Sequence, residues 1–86
     1  MRPRPVTAAQ AAAELTKRPG QPRAVGTIYS WATRYNVRRW ANDQVTLYDY
    51  NDLATIDGCI RRGEPVPATP DERDQLREQL RTRWAA

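Results

Sequence analysis

The side chains with the most chemistry to offer are thirteen arginines and one lysine, set against ten acids. They are unevenly placed. Residues 1–40 hold Arg2, Arg4, Lys17, Arg18, Arg23, Arg34, Arg38 and Arg39 against one acid, Glu14, a balance of +7. Residues 41–86 hold six basic side chains against nine acids, a balance of −3. A basic half set apart from an acidic half is the footprint of a polyanion partner; an ordinary solvated surface is the plainer reading. Guanidinium forks match phosphate oxygens and guanine edges. A GC-rich genome yields the same excess of Arg over Lys, so that preference alone decides nothing.

Other chemistries lack their residues. There is no His, so the usual general base is missing. One cysteine, Cys59, allows neither an intrachain disulfide nor a thiolate zinc cluster. There is no glycine-rich phosphate loop. Asp71, Glu72 and Asp74 fall in the first turn of an expected helix, where acids suit the helix dipole, so they read as structural rather than catalytic. The expectation is a protein that is not an enzyme and uses neither metal nor cofactor. No run approaches the ~20 apolar residues of a membrane span, and the charged, proline-rich start is unlike a signal peptide. A cytoplasmic protein without a membrane partner is therefore expected.

The elements that would position these arginines can be read along the chain. Residues 1–5 form an extended basic arm. Thr7, with Gln10 three residues on, makes a capping box for a helix over 8–16, and Ala9, Ala12, Ala13 and Leu15 offer a small-residue face. Prolines and a glycine break the chain in the basic loop Lys17–Arg23. A second helix over 25–35 buries Ile28, Trp31, Ala32 and Tyr35. It turns Thr27, Tyr29, Ser30, Thr33 and Arg34 outward. Asn36 stops it. Strands over 37–40 and 45–48 follow, with turn residues 41–44 between them. Val45 and Leu47 alternate with Thr46 and Tyr48, as in a half-buried strand. Asp49 caps a third helix carrying Leu53, Ile56 and Ile60, closed by Arg61, Arg62 and Gly63. A proline-rich linker fills 64–69. Thr69, Pro70 and Glu72 then start a helix over 70–86 whose stripe Leu76, Leu80 and Trp84 could serve oligomerisation.

The fold class expected from this order is mainly α with a small β-hairpin wing. It is a winged helix-turn-helix over residues 6–63 plus a C-terminal helix. Three pieces carry a family resemblance. Thr27-Ile28-Tyr29-Ser30-Trp31 resembles the opening of the recognition helix in the MerR-like and phage-excisionase superfamily. The run from Val45 to Leu53 (VTLYDYNDL) is similar to its wing-to-helix signature. Thr7–Leu15 is similar to its first helix. The resemblance covers about residues 6–62. It departs from the pattern at the long loop from Lys17 to Ala24, at Thr46 in place of a wing arginine, and in having no long dimerising coiled coil.

The resemblance implies sequence-specific binding of double-stranded DNA by a bacterial or phage-encoded, nucleoid-associated protein. It would be an excisionase-like recombination directionality factor or a small transcription regulator. The second helix would enter the major groove and the wing would lie on the backbone. Thr27, Tyr29, Ser30, Arg34, Arg38, Arg39, Lys17, Arg18 and Arg23 are the candidate contacts, with Arg34 best placed for a guanine. Arg38 and Arg39 alternate along a strand, so one of them points outward. Thr27 has two uses open to it, a phosphate bond or a cap. Arg2-Pro3-Arg4 or Arg18-Pro19-Gly20 could enter a minor groove. A recombinase, or self-association through the last helix, would be a further partner. Two other classes stay open: a small terminase-like packaging or assembly subunit, and a protein-interaction module.

Overall fold

A computed structural model describes residues 3–18 and 22–85, with side chains through Arg83. Among the described residues the order is β1 (Pro5–Val6), α1 (Ala8–Thr16), α2 (Val25–Arg34), β2 (Arg39–Ala41), β3 (Thr46–Asp49), α3 (Tyr50–Arg62) and α4 (Pro70–Ala85). The protein is mainly helical with a small antiparallel sheet of order β1-β3-β2.

Local signals fix the helix ends. Thr7 Oγ1 accepts from the Gln10 amide at 3.1 Å, and Gln10 Oε1 accepts from the Thr7 amide at 2.9 Å, so the capping box is complete. Thr7→Ala is expected to cost about 1 kcal/mol, seen as a lower urea midpoint at unchanged slope. An unmoved midpoint would count against the box. Asn36 takes a left-handed φ of 51° just past α2, and Gly63 takes 69° at the end of α3. The Glu72 amide donates to Thr69 Oγ1, which starts α4 behind Pro70.

The core gathers α1, α2, α3 and the sheet around Leu15, Ile28, Trp31, Val37, Tyr48, Leu53 and Ile56. Three expected faces shift. On α1 the buried residues are Ala8, Ala11, Ala12 and Leu15, while Ala9 and Ala13 are exposed. A run of alanines has no contrast between faces, so only Leu15 sets the phase, and its i−3, i−4 and i−7 neighbours are the buried ones. On β3 the inward side chain is Tyr48. Leu47 is half-buried on the other face, and Val45, just before the strand, is exposed. Strand faces alternate, so one residue of register exchanges them. On α3 the buried set is Asp52, Leu53, Ile56, Asp57 and Cys59, and Ile60 is exposed.

The arm expected over residues 1–5 is tied down at its end. Pro5 and Val6 pair with Asp49 and Tyr48, the Arg4 amide donates to Asp49 Oδ1 at 3.2 Å, and the Arg4 guanidinium lies 4.5 Å over the Tyr50 ring. Arg2, Pro19 and Gly20 lie outside the described residues.

Helix α4 is docked through charge rather than through leucines. Arg73 is completely buried. Its Nε donates to Asp52 Oδ1 at 3.3 Å. Its Nη1 donates to the carbonyls of Tyr35 at 2.6 Å and Pro67 at 3.0 Å, and its Nη2 to that of Asn36 at 3.1 Å. One side chain thus joins α4, the linker, α3 and the end of α2. Of the expected oligomerisation stripe, Leu76 and Leu80 are half-buried against their own domain. Leu76 lies beside Val66 and Pro67 of the linker, and Leu80 beside α3. The Trp84 side chain lies outside the described residues.

Candidate nucleic-acid interface

Helix α2 buries Ile28, Trp31 and Ala32. The 100° step between residues then turns Tyr29, Ser30, Thr33 and Arg34 to solvent, and all four are exposed. No acid stands in the helix. Arg34 makes no ion pair among the described residues. Thr27 is half-buried at the third helical position. The helix starts after Ala24, which provides no side-chain cap, so Thr27 is not the capping residue.

The hairpin lies beside this face. Arg39 stands directly opposite Tyr48 in the β2–β3 ladder, so their side chains share one face. That face turns toward α2. Arg39 Nη2 donates to the Ala32 carbonyl at 2.7 Å, its guanidinium sits 5.8 Å from the Tyr48 ring centre, and Tyr48 meets Tyr29 edge-on at 6.3 Å. Tyr29, Tyr48 and Arg39 thus form a ledge joining α2 to the hairpin. An open cleft of about 330 Å³ continues from it, between Ala8 and Ala9 of α1, Val25 of α2 and Val45 and Thr46 of the hairpin. No acid lines it.

At the turn, Asn42 Oδ1 accepts from the amides of Gln44 and Val45, both at 2.8 Å. The hairpin tip is therefore held by a side chain rather than left open. Trp40 lies on the hairpin face away from Arg39 and is exposed.

The other expected contacts divide. Arg38, next to Arg39, points to the opposite side of the strand. Its two Nη atoms grip Asp74 of α4 at 3.1 and 2.6 Å, with Asp52 at 3.5 Å and Asp49 and Asp71 each at 3.7 Å. The Asp74 hydrogen bond raises the Arg38 pKa, and the same bond holds the Asp74 carboxyl below its usual range. Arg38 is therefore a structural clamp on α4, while Arg39, on the face turned toward α2, stays exposed. Arg23 is likewise turned inward. Its Nε donates to buried Asp57 at 2.8 Å, and it lies 5.2 Å over Trp31. Arg18 donates to Asp57 at 3.2 Å but remains 41% exposed. Lys17 is open to solvent with only a surface pair to Glu14 at 3.3 Å, a contact that holds little energy.

The residues the sequence reading missed are the carboxylates that absorb this charge. Asp52 and Asp57 fall on the same face of α3 as Leu53 and Ile56. Acids on an apolar stripe require buried cations, and that was the available signal. Among the described residues no group of three or more His, Cys, Asp or Glu side chains could hold a metal ion, and no helix is long and apolar enough to cross a membrane. No family model matches the sequence, and neither a curated protein nor a solved structure matches it.

Proposed function

We propose that this protein binds double-stranded DNA in a sequence-specific way as a small winged helix-turn-helix protein. In this reading α2 lies in the major groove and the β2–β3 hairpin lies on the flanking backbone. One observation carries the reading. The outer face of α2 is exposed and acid-free, with Arg34 and Arg39 beside it, while seven of the nine acids in residues 41–86 are drawn away, Asp43 in the exposed hairpin turn and Glu64 past α3 being the other two. Asp49, Asp52 and Asp57 are buried, and Asp71, Glu72, Asp74 and Glu78 belong to α4. A polyanion approaching α2 thus meets arginine, hydroxyls and tyrosines.

Tyr29, Ser30 and Arg34 are the base-reading candidates. Arg39, Lys17 and Arg18 are the phosphate contacts. Recombination directionality and transcription regulation both use these residues. Because Leu76 and Leu80 are partly covered by the chain itself, the docking of α4 supports a protein that meets DNA without a leucine-mediated dimer.

A gel shift across salt concentrations tests this. Wild-type affinity should fall steeply with salt, by a log–log slope of roughly −0.9 per phosphate contacted. Arg34→Ala should lose about 1–3 kcal/mol of discrimination at one base pair. Arg39→Ala should weaken binding to all sequences and reduce the salt slope by about one phosphate. Failure of the wild type to bind any duplex at low salt would overturn the reading. An unchanged affinity and site preference in Arg34→Ala would remove α2 from the interface.

A further inference from the structure

A cationic cleft lies on the far side of α3. At 100° per residue, Asn51, Ala54, Thr55, Gly58 and Arg62 fall on one face of α3, nearly opposite the face that buries Leu53 and Ile56. The outer face of a surface helix usually carries its own charges. Here the first four of these positions are neutral, and three of them are small. Charge is brought in from outside instead. Arg18, just past α1, and Arg77 of α4 converge with Arg62 on an open cleft of about 250 Å³. Ala54 and Leu80 give it an apolar wall, and no acid lines it.

Gly58 has a specific place in this arrangement. A Cβ on it would come within 3.0 Å of Arg62 Nη1, so that guanidinium, the far end of a flexible side chain, would give by a few tenths of an ångström. Glycine inside a helix costs roughly 1 kcal/mol against alanine.

Each arginine is tethered at one side and leaves donors over. Arg18 uses Nη1 alone, to the Ala54 carbonyl and Asp57. Arg62 uses Nε for Glu64 and Nη2 for Cys59 Sγ. Arg77 uses Nη1 for the Asn51 carbonyl and Thr55 Oγ1, and Nη2 for Asp74. Nε and Nη2 of Arg18, Nη1 of Arg62 and Nε of Arg77 therefore have no partner among the described residues. The carboxylates hold the guanidiniums in place without occupying the cleft.

We propose that this cleft between Arg18, Arg62 and Arg77 is a binding site for a single phosphate group. A carboxylate is planar and is satisfied by one guanidinium fork. Three guanidiniums from three elements suit a tetrahedral anion that accepts from several directions. The phosphate can be free, as inorganic phosphate or a small phosphorylated molecule, or part of a nucleic-acid backbone. The site lies on α3 rather than α2, shares only Arg18 with the DNA contacts proposed above, and stands whether or not α2 binds DNA.

The test is a two-dimensional NMR titration of the full chain with inorganic phosphate, against chloride at matched ionic strength. The amides of Thr55 and Gly58 and the Arg62 side-chain Nε should shift saturably at millimolar phosphate. Arg62→Gln should weaken that response at least tenfold with the thermal midpoint retained. Adding a short duplex separates the sources. Shifts at these α3 signals that vanish in Arg62→Gln assign a backbone phosphate, and a phosphate response with no duplex response at α3 assigns a free one. A response equal to that of chloride, or one unchanged in Arg62→Gln, overturns the proposal. Because α2 and α3 signals are read separately, loss of DNA binding at α2 cannot be mistaken for loss of this site.

Discussion

Asp52→Ala is expected to leave the chain largely unfolded at room temperature, or to lower its thermal midpoint by more than about 12 °C. Asp52 is fully buried. Its carboxylate accepts from the Arg38 amide at 3.1 Å and from Arg73 Nε at 3.3 Å, with Arg38 Nη1 at 3.5 Å and Arg77 Nη1 at 3.7 Å. Removing it leaves the Arg73 guanidinium buried with its three carbonyl partners but no countercharge. Breaking a buried pair in this way costs about 3–5 kcal/mol, a large share of the ~5–15 kcal/mol that holds a domain together. In a domain of this size each kcal/mol moves the midpoint by roughly 4–8 °C. The loss should be non-additive. A double variant, Asp52→Leu with Arg73→Met, removes both charges and should regain much of the stability, because burying the pair was itself costly. If Asp52→Ala unfolds with a midpoint within about 4 °C of wild type, the Asp52–Arg73 contact is not what docks α4. Circular dichroism on the three proteins decides it.

Helix starts and stops were written in local chemistry: Thr7 with Gln10, Asn36, Asp49, Gly63, and Thr69 with Glu72. Each acts within a few residues, so each can be read from a short window. Strand faces were not local in this sense. The side of β3 that turns inward is set by the core that Tyr48 joins, whose members Val6, Leu15 and Ile28 are distant in sequence. The partition of the arginines was the least legible part. Arg38 and Arg39 are adjacent and identical, yet one clamps α4 and the other lies exposed beside α2. Their difference depends on where Asp52 and Asp74 arrive in space. Likewise Arg23 in the basic loop and Asp57 on α3 meet only after α1, α2 and α3 have packed. Net charge by segment counted Arg23 and Arg38 as free cations, when burial had already committed them. What survives beside α2 is a smaller set, Arg34 and Arg39, with Lys17 and part of Arg18 exposed past the end of α1.

Asp57 should show the second large effect, with a pH signature. Its carboxylate is fully buried and accepts from Arg61 Nε at 2.7 Å, Arg23 Nε at 2.8 Å and Arg18 Nη1 at 3.2 Å. Arg61 also reaches the Leu15 carbonyl at 3.2 Å, so this one acid ties α3 to the end of α1 and the start of α2. Burial pushes the carboxyl up, but the hydrogen bonds from Arg61, Arg23 and Arg18 outweigh it and hold the group below the ordinary 3.8. A carboxyl with a depressed folded-state pKa binds its proton more readily in the unfolded chain. Its stabilisation is therefore complete above the ordinary carboxylate range and is lost as pH falls through the folded value. Asp57→Asn should cost about 3–5 kcal/mol at pH 7, since three guanidiniums lose their shared charge. The gap between wild type and variant should then narrow as urea unfolding is repeated from pH 5 down to pH 2. A gap that stays constant over that interval would mean that the Asp57 charge contributes nothing to holding α1 and α2 on α3. The basic loop would then be free to present Arg18 and Arg23 outward, as the charge pattern alone suggested.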